Sequence, residues 1–291
     1  MKESRMMDKA LKRMPNRLFV SDLDGTLLDG NSRVSSRSAE IISKLSDAGA
    51  MMTIATARTP ATVDVLLSHT RLSLPAIVMT GAALWDTVNK KYDECRFIDA
   101  ESSKRILDIC RRGGVTPFVY LLGGDGLLHS YYNGTMSRRE EEFAAERSHL
   151  PLKRMHINER AMEGVDAYDD SILYFAMGPR EKISEVANEI KKLTDCSVSD
   201  YVDICSHSTG ILEVFAPGVS KASAVKAMAR KLGVEGITVF GDNLNDIPMM
   251  ELADDAVAVA NAFPEVKRVA RHVIGPNTDD AVARYILEQC S

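Results

Sequence analysis

Residues 18–26 read Leu18-Phe19-Val20-Ser21-Asp22-Leu23-Asp24-Gly25-Thr26, and this stretch decides the fold. Its first three residues are apolar and β-prone, and they lead into a carboxylate and a glycine turn, which is typical of a buried parallel strand that ends in a loop. Two carboxylates two residues apart are costly to bury together unless a cation neutralises them. A hard divalent ion with oxygen ligands, Mg²⁺ above all, does so. For this segment alone, an ordinary Asp-rich turn with Gly25 in a left-handed conformation is the alternative.

Outward from this stretch, the next segments alternate between helix and strand patterns. Residues 38–48 place Ile41, Ile42 and Leu45 at helical spacing, and Gly49 follows at the position of a C-terminal cap. Further elements are predicted at 51–55 (strand), 60–69 (helix) and 76–79 (strand). A series of strand, helix, strand, helix and strand indicates a doubly wound α/β layer.

From about Trp85 the pattern changes to strands joined by turns. Two apolar runs, Phe118–Leu122 and Leu127–Tyr132, flank the glycine-rich segment 123–126, which predicts a hairpin. The densely charged residues 138–147 are typical of a solvated helix face. Further elements are predicted at 171–177, 201–205 and 211–215 (strands) and at 181–193 (helix). Such runs of strands with interspersed helices predict an α+β module inserted into the first layer.

The α/β pattern resumes after Pro217-Gly218, with a helix predicted over Lys221–Leu232 and a strand over Ile237–Phe240. The predicted fold class is therefore α/β, with a Rossmann-like doubly wound parallel sheet as the core and an inserted α+β cap domain. The predicted bounds are 1–17 for a disordered N-terminal extension, 18–87 and 215–291 for the core, and 88–214 for a cap that determines substrate specificity.

Composition and charge exclude several classes of protein. The chain has 291 residues, 45% of them hydrophobic and 26% charged, which excludes collagen-like, disordered and disulfide-scaffold chains. Its net charge of −5 gives no bulk attraction to nucleic acid or anionic lipid, so we expect neither as a partner. No apolar run approaches the roughly 18 residues of a membrane span. The five scattered cysteines form no CxxC pair and no secretory leader is evident, so we expect a cytoplasmic protein.

A second acidic segment, Gly241-Asp242-Asn243-Leu244-Asn245-Asp246, follows the predicted strand at 237–240. A loop with capping residues is the alternative for it alone. In open α/β sheets, ligands bind at the carboxyl ends of the strands. Two acidic loops at two strand ends of one parallel sheet therefore predict a better metal site than either loop does by itself.

Two further segments follow predicted strands or begin predicted helices. Thr56 lies in Ala55-Thr56-Ala57-Arg58, where a hydroxyl and backbone N–H groups at a helix start are able to hold phosphate oxygens; the alternative is that Thr56 caps the helix near Pro60. Lys221 lies in the first turn of its helix, where a cation is mildly disfavoured unless it has a ligand such as phosphate. The alternative is a lysine that points into solvent.

Together these segments resemble the haloacid dehalogenase-like superfamily of phosphohydrolases. Asp22–Thr26 matches the first motif of the superfamily, Thr56 the second, Lys221 the third and Gly241–Asp246 the fourth. The long insertion between the second and third motifs resembles the large α/β cap of the Cof-type subgroup. The resemblance extends from about Leu18 to the end of the chain.

The resemblance implies a Mg²⁺-dependent phosphatase that acts on a small phosphorylated metabolite, with a sugar phosphate as the preferred candidate. Asp22 is implied as the nucleophile that forms an aspartyl-phosphate, and Asp24 as the general acid and then the base. The implied magnesium ligands are the Asp22 side chain, the Asp24 backbone carbonyl and the Asp242 side chain.

The remaining implied roles concern the phosphoryl group and its surroundings. The phosphate-binding positions are the backbone N–H groups of Leu23 and Ala57 and the side chains of Thr56, Lys221 and Asn245. Asp246 is implied to orient Lys221 or a metal-bound water. Possible substrate contacts are Arg58, Thr80 and Gly81, with His207 as a further candidate.

The chain departs from the family pattern at three places. Alanine stands at 57 and 222, where many relatives have glycine, and Met79-Thr80-Gly81-Ala82 replaces a segment in which an Asn-Gly pair is usual. Because the threonine hydroxyl has a shorter reach than an amide, we expect this departure to weaken the substrate contact at this loop. The nucleophile and metal positions are unaltered.

Two other functions stay open at this point. A phosphotransferase or sugar phosphomutase on the same scaffold would transfer phosphate to a sugar hydroxyl faster than to water. A non-catalytic sensor of Mg²⁺ and a phospho-ligand would bind both without releasing phosphate. The sequence leaves the substrate and the oligomeric state open.

Overall fold

A computed structural model describes residues 14–159, 171–203 and 206–291, apart from the side chains of 206 and 207. Most of the predicted N-terminal extension therefore lies outside the described residues, and so does the side chain of His207. The first strand already begins at Arg17. Among the described residues, no helix has the length and apolar content that crossing a bilayer requires.

The strands, in chain order, are β1 (Arg17–Ser21), β2 (Met51–Ile54), β3 (Ala76–Val78), β4 (Ala83–Asp86), β5 (Lys91–Cys95), β6 (Phe118–Leu122), β7 (Leu128–Tyr132), β8 (Lys153–Ile157), β9 (Ser171–Pro179), β10 (Ser197–Asp203), β11 (Ser206–Phe215), β12 (Gly236–Gly241), β13 (Asp255–Ala258) and β14 (His272–Val273). The α-helices are α1 (Ser36–Asp47), α2 (Pro60–Leu66), α3 (Ala100–Arg112), α4 (Arg138–Arg147), α5 (Arg180–Leu193), α6 (Lys221–Leu232), α7 (Ile247–Glu251), α8 (Pro264–Val269) and α9 (Ala281–Gln289).

The first compact unit comprises the described residues up to Glu94 together with Ser220–Ser291. Its five-stranded sheet has the order β14-β13-β12-β1-β2, and every neighbouring pair is parallel. Strand β1 lies between β12 and β2, and its Leu18, Phe19 and Val20 are fully buried, as their apolar run predicts. Its neighbour β12 comes from the other end of the chain, so the unit is assembled from two separated segments.

The third predicted strand of this layer lies at the edge of the sheet, beside the end of β2. Strand β3 makes a single bridge to the end of the β2 segment, between Ala55 and Ile77, and forms its ladder with β4 in a separate sheet of order β3-β4-β5. Only three residues of β3 are extended, because the backbone turns at Met79, Thr80 and Gly81, which all have positive φ. The sequence predicted neither β4 nor β5.

The second compact unit is Cys95–Val219, and it contains a six-stranded sheet of order β10-β11-β9-β6-β7-β8. The predicted hairpin is confirmed, since β6 and β7 pair antiparallel across the glycine-rich turn. Strand β8 adds to β7 in parallel. The charged helix α4 has the predicted bounds and begins with a capping box in which Ser137 and Glu140 bond each other's backbone N–H groups.

The chain passes from the first unit to the second after Glu94 and returns to the first after Val219. The predicted bounds of the cap, at 87 and 214, are earlier. The first difference arises because β4 and most of β5 extend the small sheet that begins with β3. The second arises because β11 continues to Phe215 within the six-stranded sheet. Helix α6 then begins at Lys221, as predicted, behind a Ser220 N-cap whose side chain accepts a hydrogen bond from the Ser223 N–H.

Candidate active site

Three carboxylates from two distant parts of the chain converge at the carboxyl edge of the parallel sheet. Asp22 directly follows β1, Asp242 directly follows β12, and Asp246 lies one short turn further on. One oxygen from each carboxylate lies within 4.8 Å of the other two. The structure therefore brings the two acidic segments together, as the sequence predicted.

Backbone contacts bring these segments together. Strands β1 and β12 are in parallel register up to the pair Ser21 and Phe240, and the Asp22 N–H continues the ladder by donating to the Phe240 carbonyl at 2.9 Å. Gly25 has a φ of +76°, and a Cβ at this position would lie 2.4 Å from Oδ2 of Asp242. Only glycine therefore allows the turn after β1 to approach the second acidic segment so closely.

The ammonium of Lys221 lies between two of the carboxylates. It donates to Oδ1 of Asp22 at 2.6 Å and to Oδ1 of Asp246 at 2.8 Å. The lysine side chain is only 4% exposed, so the alternative of a lysine in solvent is wrong. Asp246 also accepts hydrogen bonds at Oδ2 from the N–H groups of Asp242 and Asn243, both at 3.1 Å. It thus connects the lysine to the backbone of the second acidic segment.

The electrostatics of the cluster favour an added cation. Burial raises the pKa of Asp22 to about 8, with the Lys221 ammonium opposing that rise and Asp246 adding to it. Burial likewise raises the pKa of Asp242 to about 6, against the hydrogen bond that it accepts from Thr26. Burial alone lowers the pKa of Lys221, but the two carboxylates raise it above its ordinary value. One ammonium is not enough for three carboxylates at this spacing.

The donor atoms fit a hard divalent cation. Carboxylate oxygens are the ligands that Mg²⁺ and Ca²⁺ prefer, and a Mg²⁺ site is commonly built from one or two carboxylates plus water and phosphate. Asp22 and Asp242 supply two such groups, while Asp246 already contacts Lys221 and two backbone N–H groups. A divalent ion bound here would also supply the two positive charges that the cluster lacks.

The segment Thr56-Ala57-Arg58 lies at the same edge of the sheet, after β2. Thr56 is buried, and its Oγ1 accepts a hydrogen bond from the Arg58 N–H at 3.2 Å. Helix α2 begins behind an N-cap at Thr59 with Pro60 in its first turn, so the alternative that Thr56 caps this helix is wrong. The hydroxyl hydrogen of Thr56 is left to donate, because its contact with Arg58 uses an oxygen lone pair.

The side chain of Asp24 is held by Arg58. Nε of Arg58 donates to Oδ2 of Asp24 at 2.7 Å, and Nη2 donates to Oδ1 at 2.6 Å. This pair is partly exposed, with 30% of the arginine side chain and 51% of the aspartate side chain accessible. The Asp24 carboxylate is therefore not one of the three that cluster around Lys221.

The other predicted site residues lie on the loops around this cluster. Leu23 is buried in the turn after β1, Ala57 is exposed next to Thr56, and Asn245 is exposed next to Asp246. Thr80 donates its N–H to the Thr56 carbonyl at 2.9 Å. A Cβ on Gly81 would lie 2.4 Å from the Ser220 carbonyl oxygen, so this loop packs against the start of α6.

Sequence reasoning missed two polar residues that hold the acidic segments in place. Thr26 donates from Oγ1 to Oδ1 of Asp242 at 2.9 Å. Asn261 donates from Nδ2 to the Gly25 carbonyl at 2.7 Å. Thr26 lies in the acidic segment after β1, and Asn261 follows β13, so their places after strand ends are the available signal.

Comparison with known proteins gives a consistent result. The family model described as haloacid dehalogenase-like hydrolase matches residues 19–286. The 5-amino-6-(5-phospho-D-ribitylamino)uracil phosphatase YcsE of Bacillus subtilis is 26% identical over 272 residues, which are 93% of this chain and 94% of that protein. The pyridoxal phosphate phosphatase YbhA of Escherichia coli is 25% identical over 279 residues, which are 94% of this chain and 98% of that protein.

A solved structure gives the same result for the fold. The crystal structure of a haloacid dehalogenase-like hydrolase from Bacteroides thetaiotaomicron matches with a TM-score of 0.74 and 20% sequence identity, over 94% of this chain and 98% of that one. The predicted α/β fold class with an inserted second module is thereby confirmed.

Proposed function

Because the chain belongs to the haloacid dehalogenase-like hydrolase family, we propose that it is a Mg²⁺-dependent phosphatase that works through an aspartyl-phosphate on Asp22. The family resemblance predicted from the four motifs is confirmed by the family match. The two curated relatives are phosphatases that align along nearly their whole length, and this chain is accordingly a phosphoric monoester hydrolase. The metal, the substrate and the covalent intermediate are the proposed parts of this function.

One observation carries the proposal, namely the convergence of Asp22, Asp242 and Lys221. A carboxylate attacks a phosphate dianion only if positive charge offsets the repulsion between them. The ammonium of Lys221 supplies one such charge at 2.6 Å from Asp22. When bound by Asp22 and Asp242, with the Asp24 backbone carbonyl as the third proposed ligand, Mg²⁺ would supply the rest and polarise the phosphate oxygens.

In the first proposed step, a carboxylate oxygen of Asp22 attacks phosphorus and the bond from phosphorus to the leaving oxygen breaks. Asp24 donates a proton to that oxygen, so the product leaves as a neutral alcohol. Asp22 is suited to this role because β1 and the bond from its N–H to Phe240 fix its backbone at the sheet edge.

In the second proposed step, Asp24 accepts a proton from water, and the water oxygen attacks the phosphorus of the aspartyl-phosphate. The acyl phosphate bond breaks, inorganic phosphate leaves and Asp22 is restored as a carboxylate. The side chains of Thr56 and Asn245, the ammonium of Lys221 and the N–H groups of Leu23 and Ala57 would hold the phosphoryl oxygens in both steps. Asp246 would keep Lys221 in place through its 2.8 Å contact.

For the substrate we propose a small phosphate monoester, with a sugar or sugar-alcohol phosphate as the preferred class. The names of both curated relatives specify phosphate monoesters of small molecules, and one of them carries the phosphate on a ribityl chain. We propose neither nucleic acid nor membrane as a partner, because the net charge of −5 gives no bulk attraction to either. Cys110, Cys196 and Cys290 are free thiols, and the cytoplasmic location stays a prediction.

The decisive assay measures phosphate release from p-nitrophenyl phosphate, and then from a panel of sugar and sugar-alcohol phosphates, with Mg²⁺ and with EDTA. We expect turnover only with the metal, and loss of turnover in Asp22→Asn. Asp47→Asn is the matched control, since Asp47 is exposed and pairs with Arg71 away from the cluster.

The outcomes separate the three functions considered. Activity that survives both EDTA and Asp22→Asn would contradict the proposal. Faster transfer of phosphate to added glucose than to water would favour the phosphotransferase. Stabilisation by Mg²⁺ and phosphate esters without any phosphate release would favour the sensor.

A further inference from the structure

We propose that Arg58 is a positioning residue that directs the carboxylate of Asp24 toward proton transfer and is not a contact of the substrate phosphate. This inference rests on the proposed function, because it concerns how the general acid of that reaction is oriented. It changes the role expected from the sequence, in which Arg58 was a possible substrate contact.

The side chains of Arg58 and Asp24 form a bidentate ion pair. Nε and Nη2 of Arg58 each donate to a different oxygen of Asp24, at 2.7 and 2.6 Å. Two parallel hydrogen bonds from a planar guanidinium fix both the distance and the plane of a carboxylate, whereas a single contact fixes only the distance. The guanidinium therefore determines where the Asp24 oxygens point.

Arg58 is able to orient another group because its own backbone is fixed on both sides. Its N–H donates to Oγ1 of Thr56 at 3.2 Å, and its carbonyl accepts from the Met79 N–H at 2.9 Å. Thr56 is one of the proposed phosphate-holding residues. The arginine thus connects the direction of the Asp24 carboxylate to the segment that would hold the phosphoryl group.

The pair contributes too little to stability to explain its geometry. Half of the Asp24 side chain is accessible, and ion pairs this exposed contribute little to the stability of the folded protein. Without the arginine, this carboxylate would have several rotamers in solvent, unlike Asp22, which is buried against Lys221. Orientation is therefore the property that the contact controls. A misdirected proton donor costs rate even when it remains near its target.

This role predicts a dependence on the leaving group. p-Nitrophenolate departs readily without a proton, whereas phenolate, with an ordinary pKa of about 10, benefits from one. Because kcat/KM includes all steps up to the first irreversible one, it reports on departure of the leaving group even where the second step limits kcat. The ratio of kcat/KM for phenyl phosphate to that for p-nitrophenyl phosphate therefore measures proton donation by Asp24.

The experiment compares this ratio in the full chain and in Arg58→Lys and Arg58→Met. We expect the ratio to fall about tenfold or more in both variants, since lysine keeps the charge but lacks the planar pair of donors. Asp24→Asn should lower the same ratio at least as far. Arg71→Met is the matched control, because Arg71 forms a comparable exposed bidentate ion pair with Asp47 away from the site. This variant should leave the ratio unchanged.

Two results would overturn the positioning role. An equal loss of kcat/KM on both substrates, with a raised KM that lysine rescues, would make Arg58 a phosphate contact. An unchanged ratio in both Arg58 variants would show that Asp24 needs no orientation. Either result leaves the proposed phosphatase function intact. Absence of metal-dependent turnover in the unmodified chain would overturn that function together with this inference.

Discussion

The ammonium of Lys221 lies 2.6 Å from Oδ1 of Asp22, although 199 positions separate the two residues in the chain, and both side chains are almost fully buried. The same ammonium contacts Asp246, whose side chain is fully buried. A buried cation shared by two carboxylates is hard to remove, because its loss leaves two buried negative charges side by side.

Replacing Lys221 by methionine should therefore destabilise the metal-free protein by about 3–5 kcal/mol. Urea unfolding in EDTA measures this difference. The control is Lys231→Met, since the pair of Lys231 with Glu94 is largely exposed and contributes at most about 1 kcal/mol. Equal midpoints for the two variants would show that Lys221 is not the counter-ion of the cluster.

Magnesium should stabilise the folded protein through Asp22 and Asp242. A ligand that binds only the native state adds about 2.7 kcal/mol at one hundred times its dissociation constant. We expect a rise in melting temperature with Mg²⁺ that disappears in Asp242→Asn. In EDTA the same variant should be no less stable than the unmodified chain, because it removes one of three crowded carboxylates. A Mg²⁺ response that persists in Asp242→Asn would place the ion elsewhere.

Gly25 should be intolerant of any side chain. Alanine there would have a Cβ 2.4 Å from Oδ2 of Asp242 and would also hold a φ of +76°. We expect Gly25→Ala to displace Asp242 and to abolish both the Mg²⁺ response and the activity. Gly49→Ala is the matched control, since Gly49 has a φ of +98° but no heavy atom within 4 Å of a built Cβ.

The control separates backbone strain from the clash. Gly49→Ala should lose only about 1–2 kcal/mol, the cost of a left-handed alanine, and keep its response to Mg²⁺. Loss of the Mg²⁺ response in both variants would attribute the effect at position 25 to general destabilisation.

The parts of the fold that follow from local pattern were predictable. Helix α6 has the bounds that its apolar spacing and capping residues predict, and the charged helix α4 does as well. The hairpin of β6 and β7 follows from its glycine-rich turn. In each case the signal lies within about a dozen consecutive residues.

The parts that depend on distant pairing were not predictable. Strand β8 joins the cap sheet by a parallel pairing with β7, which no local turn specifies. Within β8, Lys153 is almost fully buried, so a lysine occupies a core position. The alternation of apolar and polar residues that would indicate a strand is therefore missing there. Strand β3 ends after only three residues because the three residues that follow it have positive φ, which composition does not reveal.

The candidate site likewise has features that the sequence predicts and features that it does not. The two acidic segments were predictable as neighbours because each follows a strand of one parallel sheet, and the carboxyl ends of such strands share an edge. The direction of each side chain was not. That Asp24 points to Arg58, and that Lys221 is shared by Asp22 and Asp246, depends on rotamers that only the assembled site fixes.

Replacing Thr80 by asparagine should stabilise the folded protein. Its φ is +57°, a left-handed conformation that is unfavourable for a β-branched residue and best tolerated by glycine and asparagine. Thr80→Asn should therefore raise the free energy of unfolding by about 1 kcal/mol, while the bond from the position 80 N–H to the Thr56 carbonyl is kept. Thr80→Val, which keeps the branch, should bring no gain in a parallel denaturation. A gain with valine equal to that with asparagine would rule out backbone conformation as the cause.

Lys153 should give the protein a pH-dependent stability that has no connection with the metal cluster. Its ammonium donates to the Tyr120 hydroxyl at 2.9 Å and lies 4.3 Å from the centre of that ring. Burial, and secondarily the nearby Arg147 guanidinium, lowers the pKa of Lys153 to about 7. In the unfolded chain a lysine has a pKa of about 10.4.

Between these two pKa values the unfolded chain binds a proton on Lys153 that the folded chain does not, so the contribution of Lys153 to the free energy of unfolding falls as the pH is lowered from about 10 to about 7. The slope is at most about 1.4 kcal/mol per pH unit. Lys153→Met should remove this slope and be more stable than the unmodified chain at pH 7, with the difference shrinking toward pH 9. Lys44→Met is the control, since Lys44 is half exposed. Denaturant unfolding at pH 7, 8 and 9 gives the free energy of unfolding of the unmodified chain and of the two variants as a function of pH. Parallel curves for Lys153→Met and the unmodified chain would show that the buried amine keeps its proton throughout this range.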